Sequence, residues 1–566
     1  MKIKNKYKND IDSKTQSWIN QFIVYFVLLI FFLIINKQEI IYECKKLIQH
    51  YDAPGKALVY MTANLISTGA VFIAVFTKSL HIRIPFFILS FIGILINQTY
   101  SNINGNGMEY NDMVLLINNA VFAHEAVSFY RISILKAGIL ASFFIIICIV
   151  LRFIFPKIQY GNKISLVTIL LSYFLCFTLI NATTANRTSF ADPVKLAALF
   201  TYTLKNNIYT GDRKPVSLLH QPNTTVKHIV WIVDESVRGD MLSINGYLVR
   251  TTPFLEKQDD KMINFGVASS GAICSDFSNI IMISGIRKGD IPDKQSNTTR
   301  NTSIFQYAAE AGFKTNFISG PSHTRVLEGF MTPFDLKEID HLYFMNEMYK
   351  NVPTYEIDRY CLSVLKNITT DQEKSFTYLV KYGNHFNYEN TYPKERKLFS
   401  PTELVNKWDE LDKEKLLNSY YNSINWNVDA FFEKLDSLFH QENILVVYTS
   451  DHGQNLKDVD GIKQTHCLNS ESPSQMAAVP LLLYSPNPFL INDILQNYQN
   501  PLPVNHVSHF EIFPTVLEFM GFERDEVQKL YGPNLFELNK NEKRVFSSGD
   551  LFGRGASFVN EFRYPF

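Results

Sequence analysis

Two apolar runs in this chain end in residues that bind metals. HIVWIV, residues 228–233, stops at Asp234 and Glu235, and NILVVYTS, residues 443–450, stops at Asp451, His452 and Gly453. A carboxylate from one strand end, with an aspartate and a histidine from another, makes a plausible zinc set. Adjacent acids repel, and burying them is costly unless something positive lies beside them. Either motif alone reads as a polar surface turn. Together, at the carboxyl ends of two strands, where open α/β sheets gather their ligands, they point to a site. Side chains alternate along a strand, so Glu235 is expected to face the metal and Asp234 to point away into solvent.

Catalytic zinc keeps one position open for water, substrate or a nucleophile. Downstream of the first acids lies GVASSGAICSDFSNIIMISG, residues 266–285, rich in small and hydroxyl residues and leading into a helix-like apolar run. Such a segment can hold a nucleophile at a helix N-terminus, where backbone N–H groups favour anions such as phosphate. Cys274, Ser275 and Ser278 are the candidates, against the plainer reading of capping serines beside a buried cysteine. His385 in KYGNHFNYENTYP and His466 in KQTHCLNSESP stand in loops after strand-like or apolar runs. Both could reach a common site, to bind an anionic group or protonate a leaving oxygen.

The elements that must position these residues follow from the pattern. From Val226 onward, short apolar strand-like runs (HIVWIV, KTNFIS, SFTYLVKY, NILVVYTS, PLLLYSP) alternate with helix-like ones (SIFQYAAEAGF, LLNSYYNSINWNVDAFFEKLDSLF, HFEIFPTVLEFMG). That alternation predicts an α/β domain around a mainly parallel sheet. The first third is different. Five apolar stretches, beginning near Trp18, Leu58, Ile84, Ala137 and Ile164, are long enough or nearly so to cross a bilayer. Basic residues in the N-terminal tail and in the loops holding Lys78, Arg83, Arg152, Lys157 and Lys163 fall on one side, which is expected to be cytoplasmic. Five spans then put everything after about residue 183 outside the cytoplasm. The expected organisation is a tail over 1–16, a transmembrane domain over 17–183, a membrane-surface helix and linker over 184–225, and an exported catalytic domain over 226–566. With 54 basic and 54 acidic residues among 566, the chain lacks the basic excess of a nucleic-acid binder. Six cysteines, two of them inside spans, predict no disulfide framework.

This order of elements resembles the phosphoethanolamine transferases of Gram-negative inner membranes, which modify lipid A or the lipopolysaccharide core. The stretches IVDESVRGDMLSINGY, SSGAICSDFSNIIMIS, NHFNYENTYP, YTSDHGQNL and THCLNSESPSQMAAVP carry the likeness. The resemblance implies five spans followed by a periplasmic domain of the alkaline phosphatase and sulfatase fold. It implies zinc held by Glu235, Asp451, His452 and the nucleophile, which falls on Ser275 where the family has threonine. The family has glycine at the position of Asp234. His385 and His466 match its substrate-side histidines. In INNAVFAHEA, Glu125 takes the place of an acid in the family's lipid-site helix, and Asn118 that of an asparagine after a one-residue shift. The implied reaction has two steps. Ser275 attacks the phosphorus of phosphatidylethanolamine and releases diacylglycerol, and a lipid A or core-sugar acceptor then takes the phosphoethanolamine group. A phosphoglycerol transferase of the lipoteichoic acid synthase type, and an inactive membrane sensor of the same fold, share this topology. A sulfatase would need a C-x-P-S-R motif, and Cys274-Ser275-Asp276-Phe277-Ser278 lacks its proline and arginine.

Overall fold

The structure is a computed structural model that describes residues 2–36, 40, 54–104, 108, 110–118, 131–182, 190, 192–206, 212–221, 226–321, 331, 335–404, 412–440, 442–462, 464–498, 501–538 and 541–564. It forms two compact units, Met1–Asn207 with Arg554–Ala556, and Ile208–Gly553 with Ser557–Phe566.

The first unit is helical: α1 (Lys2–Ile35), α2 (Pro54–Val75), α3 (Leu80–Asn104), α4 (Tyr110–Asn118), α5 (Arg131–Ile154), α6 (Asn162–Ala182) and α7 (Asp192–Lys205). Five of these, α1, α2, α3, α5 and α6, are long and apolar enough to cross a membrane. The inward faces of α1, α2 and α5 meet through Leu28, Phe31, Val71, Phe76, Phe144 and Cys148, and α6 packs through Cys176 and Ile180 in a neighbouring cluster. Their outward faces leave large apolar side chains uncovered, among them Trp18, Phe22, Leu135 and Phe153. A water-soluble surface would not carry so continuous an apolar belt, whereas lipid matches it. The chain is a multi-pass membrane protein. The third span, short by sequence, draws on its flanks and runs from Leu80 to Asn102. Helix α7, expected along the membrane surface, buries one face within its unit. Asn97 there accepts from Lys195 Nζ at 2.9 Å and donates to Asp192 Oδ1 at 2.9 Å.

The second unit is built on a seven-stranded sheet ordered β2-β7-β6-β1-β5-β3-β4. The strands are β1 (His228–Asp234), β2 (Met262–Ser269), β3 (Lys314–Ser319), β4 (His341–Phe344), β5 (Ser375–Val380), β6 (Ile444–Ser450) and β7 (Ala478–Tyr484). All neighbours pair in parallel except β7, which runs antiparallel to both β2 and β6. β8 (Val545–Gly549) and β9 (Ser557–Glu561) form a separate hairpin. The mainly parallel sheet and the five apolar helices bear out the expected fold class. β1 explains why the sheet reads as unbroken apolar runs: Ile229, Trp231 and Val233 enter the core on one face, and Val230 and Ile232 enter the core on the other. The covering helices include α8 (Ser275–Ser284), α9 (Ile304–Glu310), α10 (Thr354–Asp371), α11 (Lys413–Ile424), α12 (Ala430–Leu438) and α13 (Ile512–Met520). A π-helical turn over Asn425–Asp429 joins α11 to α12.

Register places the site. β1 and β6 are adjacent, with Asp234 opposite Ser450. The residues one step beyond, Glu235 and Asp451, therefore leave the sheet side by side.

Candidate metal centre

Glu235, Asp451 and His452 offer ligand atoms that all lie within 4.8 Å of one another. The turn that brings Glu235 there is strained, because Ser236 holds a left-handed backbone (φ 61°), which is uncommon for a residue with a side chain. Its surroundings enforce it. Ser236 N–H donates to Asp451 Oδ1 at 3.0 Å, its hydroxyl donates to Glu235 Oε1 at 2.5 Å, and its carbonyl accepts from Tyr420 at 2.7 Å. Asp451 Oδ1 also takes the His452 N–H at 2.7 Å, while Oδ2 faces His452 Nε2 at 3.4 Å. His452 Nδ1 lies 2.7 Å from the Gly453 carbonyl, which can only accept, so Nδ1 carries the proton and Nε2 presents its lone pair to the acids.

Ser275 completes the group as the first residue of α8. Its hydroxyl lies 3.2 Å from His452 Nε2 and 3.4 Å from Glu235 Oε2. The helix is held behind it. Asn279 donates to the Ser275 carbonyl at 2.9 Å and accepts from Tyr378 at 2.7 Å, and Ile280 to Ile283 are buried.

The charge balance fits a cation. Burial, and then the neighbouring Glu235 charge, push the Asp451 carboxyl up to about 7. Burial also pushes Glu235 up, although its side chain keeps 16 % exposure. Two carboxylates in one protein-lined pocket repel, and a divalent ion is what relieves that repulsion. One carboxylate from β1, an Asp-His pair from β6, a fixed histidine tautomer and a hydroxyl in reach make a donor set suited to zinc.

The sequence candidates separate here. Glu235, Ser275, Asp451 and His452 converge. His466 joins them, its ring stacked on His452 with centroids 4.1 Å apart, and burial among other histidines pushes its pKa well below the usual range. His385 is exposed and hydrogen-bonded through Nδ1 to the Phe386 carbonyl at 2.7 Å. Ser278 is turned away and fully buried, its hydroxyl 3.1 Å from His509 Nδ1. Asn118 ends α4, and Glu125 lies outside the described residues.

Two expectations need correction. Asp234 does not point into solvent. It is buried, ion-paired to the equally buried Lys381, and accepts from Tyr448 at 2.8 Å. The strand does turn Asp234 away from Glu235, but β5 and α12 cover that side, and the Lys381 ammonium sits 4.2 Å from the Phe431 ring. A single disulfide forms where none was expected, Cys274 bonded to Cys467, although Cys148, Cys176 and Cys361 stay free and no framework is built among the described residues. That bond removes Cys274 as a nucleophile.

Sequence reasoning missed Lys381, Asp358 and His509. Asp358 accepts the Tyr382 and Gly383 N–H groups at 2.8 and 3.1 Å, and lies 3.7 Å from Lys381 Nζ. His509, in a stretch read only as a closing helix, takes the Gly271 N–H on Nδ1 at 3.2 Å and meets Thr449 through Nε2 at 3.1 Å. No spacing in the chain advertises these partners. The cysteines did carry a signal, because each adjoins a candidate: Cys274 precedes Ser275, and Cys467 follows His466.

Residues 227–522, more than half of the chain, match the Sulfatase family model. The chain belongs to the Sulfatase family. Among its relatives is the Kdo(2)-lipid A phosphoethanolamine 7''-transferase of Escherichia coli (strain K12), 21% identical over 339 residues, which cover 56% of this chain and 55% of that protein. The chain thus spans about half the length of the curated relatives it matches. Among solved structures, the integral membrane lipooligosaccharide phosphoethanolamine transferase A (EptA) from Neisseria meningitidis shares the fold, with TM-score 0.61 and 18% identity over 89% of this Sulfatase-family chain and 96% of that one. The C-terminal periplasmic domain of EcEptC from Escherichia coli, solved in complex with Zn, gives TM-score 0.50 and 19% identity, covering 61% of this chain and 96% of that one.

Proposed function

We propose that this protein is a zinc-dependent phosphoethanolamine transferase. It takes the group from phosphatidylethanolamine and passes it through Ser275 to lipid A or a lipopolysaccharide core sugar, in the bacterial inner membrane with the catalytic unit in the periplasm. The observation that carries the reading is the convergence of Glu235, Asp451 and His452 on the Ser275 hydroxyl. Relatives named for transfer to lipid A and lipooligosaccharide support the acceptor class, and the zinc complex of the EcEptC domain supports the metal. Zinc held by Glu235, Asp451 and His452 would favour the deprotonated hydroxyl and offset charge on the phosphoryl group.

The chain's own residues then divide the work. α8 holds Ser275 with its backbone N–H groups facing the incoming anion. Ser275 Oγ forms a bond to phosphorus as the bond to the diacylglycerol oxygen breaks. His466 and His385 are the groups that would bind the phosphoryl oxygens or deliver the proton to the leaving oxygen. The acceptor then attacks the phosphorus and Ser275 Oγ leaves. Cys274, bonded to Cys467, is not available for the oxidation that sulfatases perform on a cysteine.

Intact-mass measurement of the purified chain with phosphatidylethanolamine tests this. A phosphoethanolamine-sized adduct on wild type, absent from Ser275→Ala, is expected. An adduct formed only with phosphatidylglycerol would move the reading to a phosphoglycerol transferase. A chain that takes up no zinc and reacts with neither lipid would be a sensor.

A further inference from the structure

The Cys274–Cys467 disulfide joins two segments that both reach the metal set, with its Cα atoms 4.8 Å apart. Cys274 caps α8 immediately before Ser275, and Cys467 immediately follows His466, 193 residues away from its partner in sequence. Both bridged segments meet His452: the Ser275 hydroxyl lies 3.2 Å from its Nε2, and the His466 ring stacks on it with centroids 4.1 Å apart. The bridge is therefore one residue from each group that flanks His452. A backbone bond runs beside it, with Cys467 N–H donating to the Ile273 carbonyl at 3.0 Å. Cys467 also holds a left-handed backbone (φ 57°), which is costly for a residue other than glycine and persists only where its surroundings impose it. Both cysteines are half-buried.

We infer that this disulfide is a positioning element of the site: it staples the Ser275 turn to the His466 loop, and only the oxidised chain presents both to the metal and the phosphodiester. The inference rests on the proposed transferase reading for its kinetic consequence, but not for its effect on the metal. Opening the bond takes two electrons and two protons from a dithiol, which leaves as its own disulfide. A trialkyl phosphine does the same and leaves as the phosphine oxide, with its oxygen from water. Two thiols replace the bridge, and the left-handed turn at Cys467 loses its covalent restraint.

The full-length, zinc-loaded chain in detergent is compared in three forms: oxidised wild type, wild type treated with a phosphine, and Cys274→Ser/Cys467→Ser. Alkylation and intact mass count the thiols, chelator-driven zinc loss reports the metal set without any reaction, and steady-state transfer from phosphatidylethanolamine reports the chemistry. Wild type should gain two alkylatable thiols on reduction. Both opened forms should lose zinc at least about tenfold faster and turn over at least about tenfold more slowly, because a small misplacement of a reacting group is that costly. KM for the lipid should stay within about twofold, since the staple orients the reacting groups rather than holding the lipid. Reoxidation should restore the reduced wild type, and the double variant should ignore the reductant. A thiol count unchanged by reduction overturns the inference, as do zinc loss or turnover unchanged in the opened forms. If the double variant fails to fold, reduced wild type, already folded, decides alone. Oxidised wild type that holds zinc and loses it faster on opening, yet transfers from neither phospholipid, would keep the staple and remove the transferase reading.

Discussion

Asp234 carries a charge at the end of an apolar strand, and Lys381 answers it inside the protein. The lysine also grips the Asn427 carbonyl, and Asn427 in turn donates to the Gly383 and Thr391 carbonyls at 3.1 and 2.9 Å. The pair thus ties the Glu235 turn to the loop carrying His385. Breaking a buried pair from one side strands the other charge, at a cost of about 3–5 kcal/mol, whereas neutralising both can be nearly neutral. Lys381→Met is expected to lower the unfolding midpoint of the detergent-solubilised chain sharply, and Asp234→Asn/Lys381→Met to recover part of it, since the buried Asp358 also loses the ammonium 3.7 Å away. A double variant as unstable as the sum of the singles would show that the two residues do not act as a pair.

The acids also set a pH dependence for the metal-free chain. The Asp451 carboxyl rises from 3.8 to about 7, and burial lifts Glu511 from 4.5 to about 7. With native values above unfolded ones, the native state holds protons that the unfolded chain has released. Their contribution to stability is fully present below about pH 4 and is lost as pH rises through about 7. Melting curves of the chelated chain should show a higher midpoint near pH 5 than near pH 7.5. Zinc should stabilise more at the higher pH, because binding displaces the Asp451 proton. A chelated midpoint that climbs with pH would contradict this assignment.

At the scale of elements, the site depends on close backbone approaches after β6. Gly453 receives the His452 proton on its carbonyl, and a Cβ placed there would lie 2.2 Å from the Gln475 carbonyl oxygen and 2.9 Å from that of Ala478. Both neighbours are backbone, so they cannot swing aside. Gly453→Ala should destabilise the chain by about 1–3 kcal/mol, the usual range for overpacking, and weaken zinc retention with it. Denaturant unfolding and zinc content would be measured together. A variant with wild-type stability and lowered zinc would mean that the strain falls on the ligand turn alone. The π-helical turn between α11 and α12 belongs to the same scale, because it presents Asn427 and its carbonyl to the Gly383 loop and Lys381.

At the scale of the molecule, the proposed topology, with five spans and the chain after about residue 183 outside the cytoplasm, can be tested with single-cysteine reporters. Leu248, 99% exposed in the second unit, and the exposed Lys78 are suitable reporters. In a Cys44→Ser background, Leu248→Cys should react with an impermeant maleimide once the outer membrane is permeabilised. Lys78→Cys should react only after the inner membrane is opened. The reverse pattern would invert the topology.

Much of this was legible in the chain itself, for local reasons. Apolar runs of membrane length, short apolar runs of strand length, and acids or histidines at the ends of those runs are all properties of neighbouring residues. They yield the five helices, β1, β3, β5, β6 and β7, and Glu235, Asp451 and His452 as one candidate set. β2 and β4 escaped, the first because its residues read as a small-residue loop, the second because only four residues pair at the sheet edge. What tertiary structure alone decided is partnership across distance. Lys381 opposite Asp234, Cys467 opposite Cys274, and His509 beneath Ser278 are each a pair from segments far apart in sequence. Whether a charge is solvated or paired, and whether a thiol is free or bonded, depends on what folding places beside it, and no pattern within one segment records that.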